Sequence, residues 1–371
     1  ITGLPAIQDL LTYVFSFKGR LYFAYEEILG FYYLAVGAIQ GAVDFFDLSQ
    51  IARKGFYVMS LGSFSYNSCS RPRQYFLIVT SNGEYIVYEG YDPDNAANWG
   101  LVGRYNGPPP IGRNCLIDTT ELIILTLDGA IPSSAMRKDE GASDDDAITE
   151  KLGRLLTDLN VNAETPGWQG LLYPRGGALI INVPASDTEA GHYYQYVQNT
   201  KTKSWGRYTN WDALCFVVFN RRLYFGTFDG RVMLADEGQN DDGAEITLNA
   251  KQAYNYMEDG RGSGSMNKQF HFAKVLMASD GTPSVSARLS VDFIEDVPPY
   301  GEDVGANDGS IWDEATWDVD PWASDMYTQF FQVALDKMGV AASLWLRVAI
   351  DGVEMEWYAT QYIYEVSESL F

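Results

Sequence analysis

Histidine is nearly missing from this 371-residue chain: there are two, His192 beside Tyr193 and His271 between Phe270 and Phe272. So few leave little for a histidine general base or a histidine metal cluster, and both read as structural. Cysteine is scarce as well. Cys69, Cys115 and Cys215 are odd in number, widely spaced and flanked by apolar or small residues, which excludes a paired zinc site and predicts reduced thiols in or near the core. Long hydrophobic runs are absent, since even residues 31–39 form a short stretch interrupted by glycine, whereas a membrane helix needs about 20 apolar residues. Basic residues are outnumbered, 26 Lys and Arg against 49 Asp and Glu for a net charge of −23, which argues against a broad grip on phosphates and against a sequence-reading DNA binder. No G-x-S-x-G elbow, Walker loop or H-E-x-x-H occurs, which removes serine-hydrolase, nucleotide and zinc chemistry. No basic stretch precedes the first apolar residues as a signal peptide would require, and a chain starting at Ile1 reads as lacking part of its natural N-terminus.

What is present is aromatic and glycine-rich: 14% aromatics, with 25 Tyr and 9 Trp, and 35 Gly, a composition of folded β-structure. Two distant heptapeptides nearly coincide, Phe17-Lys-Gly-Arg-Leu-Tyr-Phe23 and Phe219-Asn-Arg-Arg-Leu-Tyr-Phe225, each a tight turn entering a β-prone run. Weaker echoes lie between them at Gln74–Val79, Glu121–Leu125 and Gly177–Ile181, and a recurrence of about 45 to 55 residues matches four-stranded propeller blades. One unit reads clearly, with strands expected at 56–61, 75–80, 84–89 and 99–105 and a tight hairpin at Ser81-Asn82-Gly83. Five such units fit between Leu11 and Met257. The expected fold is all-β: a six-bladed β-propeller over 1–257, its sixth blade or closing strands supplied from upstream of Ile1.

One helix is expected as an insertion at about 144–160. There Ile148, Leu152, Leu155, Leu156 and Leu159 recur at helical spacing behind a Ser143/Asp146 capping box, and the apolar stripe would pack on its own blade. After Met257 the run Glu258–Ser265 is turn-rich and the blade spacing stops, so a second domain is expected over 258–371. Val285, Ala287, Leu289, Val291 and Phe293 alternate with polar residues, Leu344, Leu346, Val348 and Ile350 repeat the pattern, and Asp351-Gly352 turns into 353–359, which predicts a small β-sandwich-like domain.

Carboxylates are the one catalytic chemistry the composition leaves open, because propellers host glycosidases that need an acid and a second carboxylate at a set separation. The Asp-Gly pairs at Asp128, Asp229 and Asp351, however, fall where hairpin turns are expected. Asp144–Asp146, Asp241-Asp242 and Asp92-Pro-Asp94-Asn95 match no complete calcium loop and read as a helix start and solvated turns. No cofactor is expected. The most unusual stretch is Ile311–Trp322, with Trp312, Trp317 and Trp322 at five-residue spacing in a polar loop. With Tyr327 just downstream, these are candidate interface residues, because Trp and Tyr anchor subunit contacts; folding back onto the C-terminal domain is the other reading.

Tyr173–Pro184, Tyr196–Thr200, Ser204-Trp-Gly-Arg-Tyr208 and Leu223-Tyr-Phe-Gly226, together with Phe17–Phe23, Thr80–Glu84, Tyr88–Pro93 and the Trp-Asp pairs at Trp312 and Trp317, resemble the tail hub or nozzle proteins of short-tailed bacteriophages, including the packaged-DNA stabilisation group. Pro132-Ser-Ser134 departs slightly from the Pro-Leu-Ser expected there. The resemblance implies a non-enzymatic virion structural protein of the tail, assembled in the host cytoplasm. Six copies would form a ring below the portal and the adaptor or head-to-tail connector, extend the DNA channel through which the genome is ejected, and support a distal tail needle, fibre or tailspike. DNA would pass the lumen without sequence-specific binding. Two other classes stay open on the residues alone: a propeller glycan-processing enzyme, which would show a deep pocket with several carboxylates, and a carbohydrate- or receptor-binding module with exposed aromatic platforms.

Overall fold

The computed structural model describes residues 10–366 apart from 69–70, 138–145, 153–154, 156–157, 160, 164, 185–192, 259–262, 282 and 300–326. The chain divides into two compact units, Ile1–Asp236 and Glu237–Phe371.

The first unit holds five antiparallel sheets, each a run of neighbouring strands in chain order. Sheet 1 is β1 (Leu11–Phe17), β2 (Arg20–Tyr25), β3 (Gly30–Tyr33) and β4 (Asp44–Asp47). Sheet 2 is β5 (Val58–Ser68), β6 (Arg71–Thr80), β7 (Glu84–Gly90) and β8 (Trp99–Asn106), close to the four strands expected from the sequence. Sheet 3 is β9 (Leu116–Ile117), β10 (Ile123–Thr126) and β11 (Gly129–Pro132). Sheet 4 is β12 (Gln169–Tyr173), β13 (Ala178–Val183), β14 (Tyr194–Asn199) and β15 (Trp205–Thr209); sheet 5 is β16 (Ala213–Phe219), β17 (Arg222–Thr227) and β18 (Val232–Ala235). The two near-identical heptapeptides are the first hairpins of sheets 1 and 5. Both turns put two residues at positive φ, Lys18 (45°) and Gly19 (77°) in one and Asn220 (52°) and Arg221 (65°) in the other, the twist that suits a two-residue hairpin.

The first strands of successive sheets approach one another. β1 lies against β5 and β12 against β16, and glycines permit the two contacts between. A Cβ on Gly62 of β5 would stand 2.6 Å from Leu116 Cδ1 of β9, and one on Gly170 of β12 would stand 2.3 Å from Ile117 Cδ1. Apolar clusters follow the same order. Phe17, Tyr22 and Phe31 of sheet 1 meet Phe76, Ile78 and Trp99 of sheet 2, with the Phe76 ring 4.7 Å from Tyr22 and 5.3 Å from Phe17. Leu77, Val79 and Val87 on the other face of sheet 2 join sheet 3 and Leu179 and Ile181 of sheet 4, while Ile180 and Val197 face Phe216, Leu223 and Phe225 of sheet 5. Sheets 2 and 4 are therefore apolar on both faces, which is why residues 75–79 of β6 and 178–181 of β13 are unbroken apolar runs. Each fully buried aliphatic or phenyl side chain contributes about 1.5–3 kcal/mol.

Of the helix expected at 144–160, residues 144 and 145 lie outside the described residues and 148–151 form a turn; helical geometry is described at Leu155, Asp158, Leu159 and Val161. Ser143 of the expected capping box also lies outside the described residues; after it, Ile148 N–H donates to Ala130 O at 2.9 Å and Ala130 N–H donates to Thr149 Oγ1 at 3.0 Å, which ties this stretch to β11. Leu155 and Leu159 are fully buried in the core of sheets 2–4.

In the second unit, β19 (Ile246–Lys251), β23 (Ala342–Ile350) and β21 (Ser284–Val291) form one sheet in the order β19-β23-β21, and β22 (Tyr327–Gly339), β20 (Lys268–Ser279) and β24 (Met355–Val366) form another in the order β22-β20-β24. Phe270, Val275 and Met277 of one sheet share a core with Val285, Leu289, Leu344 and Leu346 of the other. The break between units precedes Met257 by about twenty residues, because residues 246–251 pair along their whole length with β23 and so belong with the C-terminal strands. The alternation expected to run through Phe293 stops at Val291: Asp292 and Phe293 take positive φ and Phe293 is exposed.

Candidate functional site

Of the expected interface residues, Trp312, Trp317 and Trp322 lie outside the described residues. Tyr327 opens β22 and pairs with Ser279; its side chain is outside them too. His192 and Cys69 likewise fall outside. His271 occupies a bulge of β20 with Nε2 3.7 Å from Glu365 Oε2. Cys115 is fully buried, and burial pushes its thiol up to about 12. Cys215, by contrast, is exposed, contrary to the expected core position, because it alternates with Ala213 and Phe216 across the bulge at the start of β16.

Asp128, Asp229 and Asp351 stand in the turns β10–β11, β17–β18 and β23–β24. Asp92 is not a solvated turn residue: its Oδ1 is 2.6 Å from Arg20 Nη2, and Arg20 also pairs with Asp94 at 3.8 Å. The Tyr33 hydroxyl donates to Asp94 Oδ1 and Arg20 lies 5.6 Å over the Tyr33 ring, so this group stitches sheet 1 to the β7–β8 connection. Burial and the neighbouring Asp94 hold the Tyr33 hydroxyl well above its ordinary range. Among the described residues, no group of three or more His, Cys, Asp or Glu is placed to hold a metal. An internal gap lined by Phe64, Leu77, Tyr85, Val87, Tyr105, Ser133 and Met136 offers no carboxylate or imidazole.

The five first strands have a common property. β1 (LTYVFSF), β5 (VMSLGSFSYNS), β9 (LI), β12 (QGLLY) and β16 (ALCFVVF) contain no Asp, Glu, Lys, Arg or His.

What the sheets leave open is apolar surface. On sheet 5 the face away from sheet 4 carries Cys215, Val217 and Phe219 of β16 and Val232 and Leu234 of β18, with Tyr224 between Val217 and Leu234 in register. Val232 is 76% and Phe219 66% exposed. In the second unit Phe330, Met338 and Tyr358 are exposed along β22 and β24. Neither apolar face was singled out in the sequence. The available signal was alternation in β16 and β18 with apolar residues at both parities, which marks a strand with no polar side.

No family model matches the chain, and no curated protein matches it. Among solved structures, a glycoside hydrolase family 43 arabinoxylan arabinofuranohydrolase from Bacillus subtilis overlaps 97% of this chain and 97% of its own at 10% identity and a TM-score of 0.28. An exo-β-1,3-galactanase from Phanerochaete chrysosporium overlaps 91% of this chain and 78% of its own at 10% identity and a TM-score of 0.27. At this level of overlap, what those enzymes act on carries no implication for this chain.

Proposed function

We propose that the chain is a structural subunit of a short-tailed phage tail, a ring-forming hub or nozzle component that extends the DNA channel. In this reading the five sheets of the first unit are successive blades of a β-propeller whose first strands surround the axis, a sixth blade completes it, and the two sheets of the second unit form a β-sandwich. The observation that carries it is the lack of any charged residue or histidine on the five first strands. A glycan-processing propeller needs two carboxylates flanking the scissile bond, and strands set around the axis supply none.

The excess of 23 negative charges fits a conduit. Lysine and arginine contacts to phosphates would retain the duplex, whereas acidic walls repel it within the Debye length of about 8 Å at physiological salt. The ring is a homohexamer, with the adaptor above and the distal tail below. Mass measurement of the purified chain and symmetry in an image of the tail particle test this: a closed ring with a net negative lumen is the expected result. A subunit that is single within the particle, or a positive lumen, overturns it. Turnover of a glycan library, abolished by changing one carboxylate, would instead establish the enzymatic reading.

A further inference from the structure

The two sheets of the second unit differ at their edges. In β19-β23-β21 the edges are guarded. β19 has only six residues, and β21 runs into a turn with Asp292 and Phe293 at positive φ that bridges Val291 to Ile294. Beyond it, Asp296 N–H donates to Ser290 Oγ at 3.1 Å and the Asp296 carboxylate pairs with Arg288 at 2.9 Å, so the returning chain lies along β21. In β22-β20-β24 the two edge strands have thirteen and twelve residues. Their stretches 328–334 (TQFFQVA) and 359–363 (ATQYI) hold no charge, proline or glycine and follow β20 in unbroken register. Among the described residues, no backbone group outside β20 bonds to the backbone of either stretch. Edges this long, regular and uncharged are templates for another strand.

Both edge strands are antiparallel to β20, so β22 and β24 run in the same direction. One face of their sheet is covered by Val285, Leu289, Leu344 and Leu346 of the other sheet. The opposite face carries Lys274 between Gln332 and Gln361 in register. Toward one end of that face stand Glu365 and Asp336, the latter accepting from Gln269 Nε2 at 2.9 Å; toward the other stands Glu356, opposite Ala278.

We propose that β24 of one copy pairs in parallel with β22 of a second copy, so that these sheets join into one closed β-barrel around the DNA channel. A rotation about an axis along the strands sets the two unlike edges side by side without reversing either, and it repeats until the ring closes. This rests on the ring reading above and names its interface. Three strands from each of six copies make eighteen, a number at which barrels enclose an aqueous channel and not a packed core. With strands about 4.8 Å apart and tilted by about 40°, opposite walls stand about 36 Å apart, which leaves room for a duplex after side chains take about 5 Å on each side. The β19-β23-β21 layer lies outside, because the second layer needs the longer circumference. The lumen is then the face of Lys274, where Asp336, Glu356 and Glu365 outweigh the lysine, as a conduit requires.

The test uses the full chain altered at exposed positions of both edges. Ala359→Lys and Gln361→Lys on β24, with Gln332→Lys and Ala334→Lys on β22, set like charges across the joint, and native mass spectrometry should find no rings. The same lysines on β24 with Gln332→Glu and Ala334→Glu on β22 should restore them, with circular dichroism unchanged in both. Hydrogen exchange reads the joint itself. Amides of 328–334 and 359–363 that point away from β20 should exchange at least about tenfold more slowly in rings of the unaltered chain than in subunits dispersed by dilution, because backbone pairing protects them. Rings from the four-lysine variant, no recovery with the glutamates, or edge amides equally fast in ring and subunit overturn this interface and leave the ring reading standing. An unaltered chain that is monomeric at every concentration overturns both. Edge amides already slow in the dispersed subunit overturn the second copy as occupant, because another stretch of the same polypeptide then pairs with them.

Discussion

Glu84 shows how a single side chain organises a connection. It is 3% exposed, and its Oε2 accepts the backbone N–H groups of Arg53, Lys54 and Gly55 at 2.8, 2.9 and 3.3 Å, holding the segment that leads into β5. Removing the acceptor breaks three hydrogen bonds to a carboxylate, so Glu84→Ala should lower unfolding free energy by about 2–4 kcal/mol in urea titration, and Glu84→Gln, which keeps one acceptor oxygen, by less. Asp296 gives a pH signature. Lys337 and Arg288 hold its carboxyl below the usual carboxylate range, so it contributes stability that is present above the unfolded pKa of about 3.9 and lost as pH falls through the lowered native value. Asp296→Asn should therefore be less stable than the parent at pH 6, with the difference closing as pH falls below the unfolded pKa of about 3.9 in thermal melts; a difference constant with pH would show that the ion pairs contribute nothing. Neither residue was singled out in the sequence, because an acid facing backbone donors or two cations has the same local context as a solvated one.

At the scale of elements, hairpins were the most legible feature. Strands β5 to β8 and the turn between β6 and β7 follow from local pattern and turn chemistry, and the Asp-Gly pairs proved to be turns. The approach of one first strand to the next was not legible, since Gln169-Gly170-Leu171 looks like any strand start. Its effect is testable: Gly170→Ala sets a methyl against the buried Ile117 side chain and should cost about 1–3 kcal/mol in denaturant unfolding. Gly62→Ala should cost less, because the end of the half-buried Leu116 can rotate away. Equal or no effect at both positions would mean the sheets slide apart to admit the methyl groups. The stretch expected as a helix shows the same kind of distant partner. Its capping residue Ser143 lies outside the described residues, and Ile148 and Thr149 just beyond are bonded to Ala130, nearly twenty residues away.

At the scale of the whole molecule, charge makes the strongest demand. With 49 acidic and 26 basic residues, the chain should not retain duplex DNA in a filter-binding assay at about 0.15 M salt. Retention that falls steeply as salt rises would place a basic surface where the conduit reading requires an acidic one. The boundary between units also belongs to this scale. The glycine-rich stretch after Met257 marks a change in composition, yet β19 before it pairs with β23, almost a hundred residues later, so the break precedes it.

Alternation and turn residues determined by themselves that this is an all-β chain of antiparallel strands. They do so because a two-residue period and a positive-φ turn act between neighbours in the chain. Tertiary structure alone decided which faces are covered. Val79 and Val217 both belong to apolar-rich strands, but Val79 is buried between sheets 2 and 3 while Val217 is exposed at the end of the row. A strand pattern states which side chains share a face; what lies against that face is set by partners distant in sequence, and at the two ends of the row no sheet among the described residues provides one.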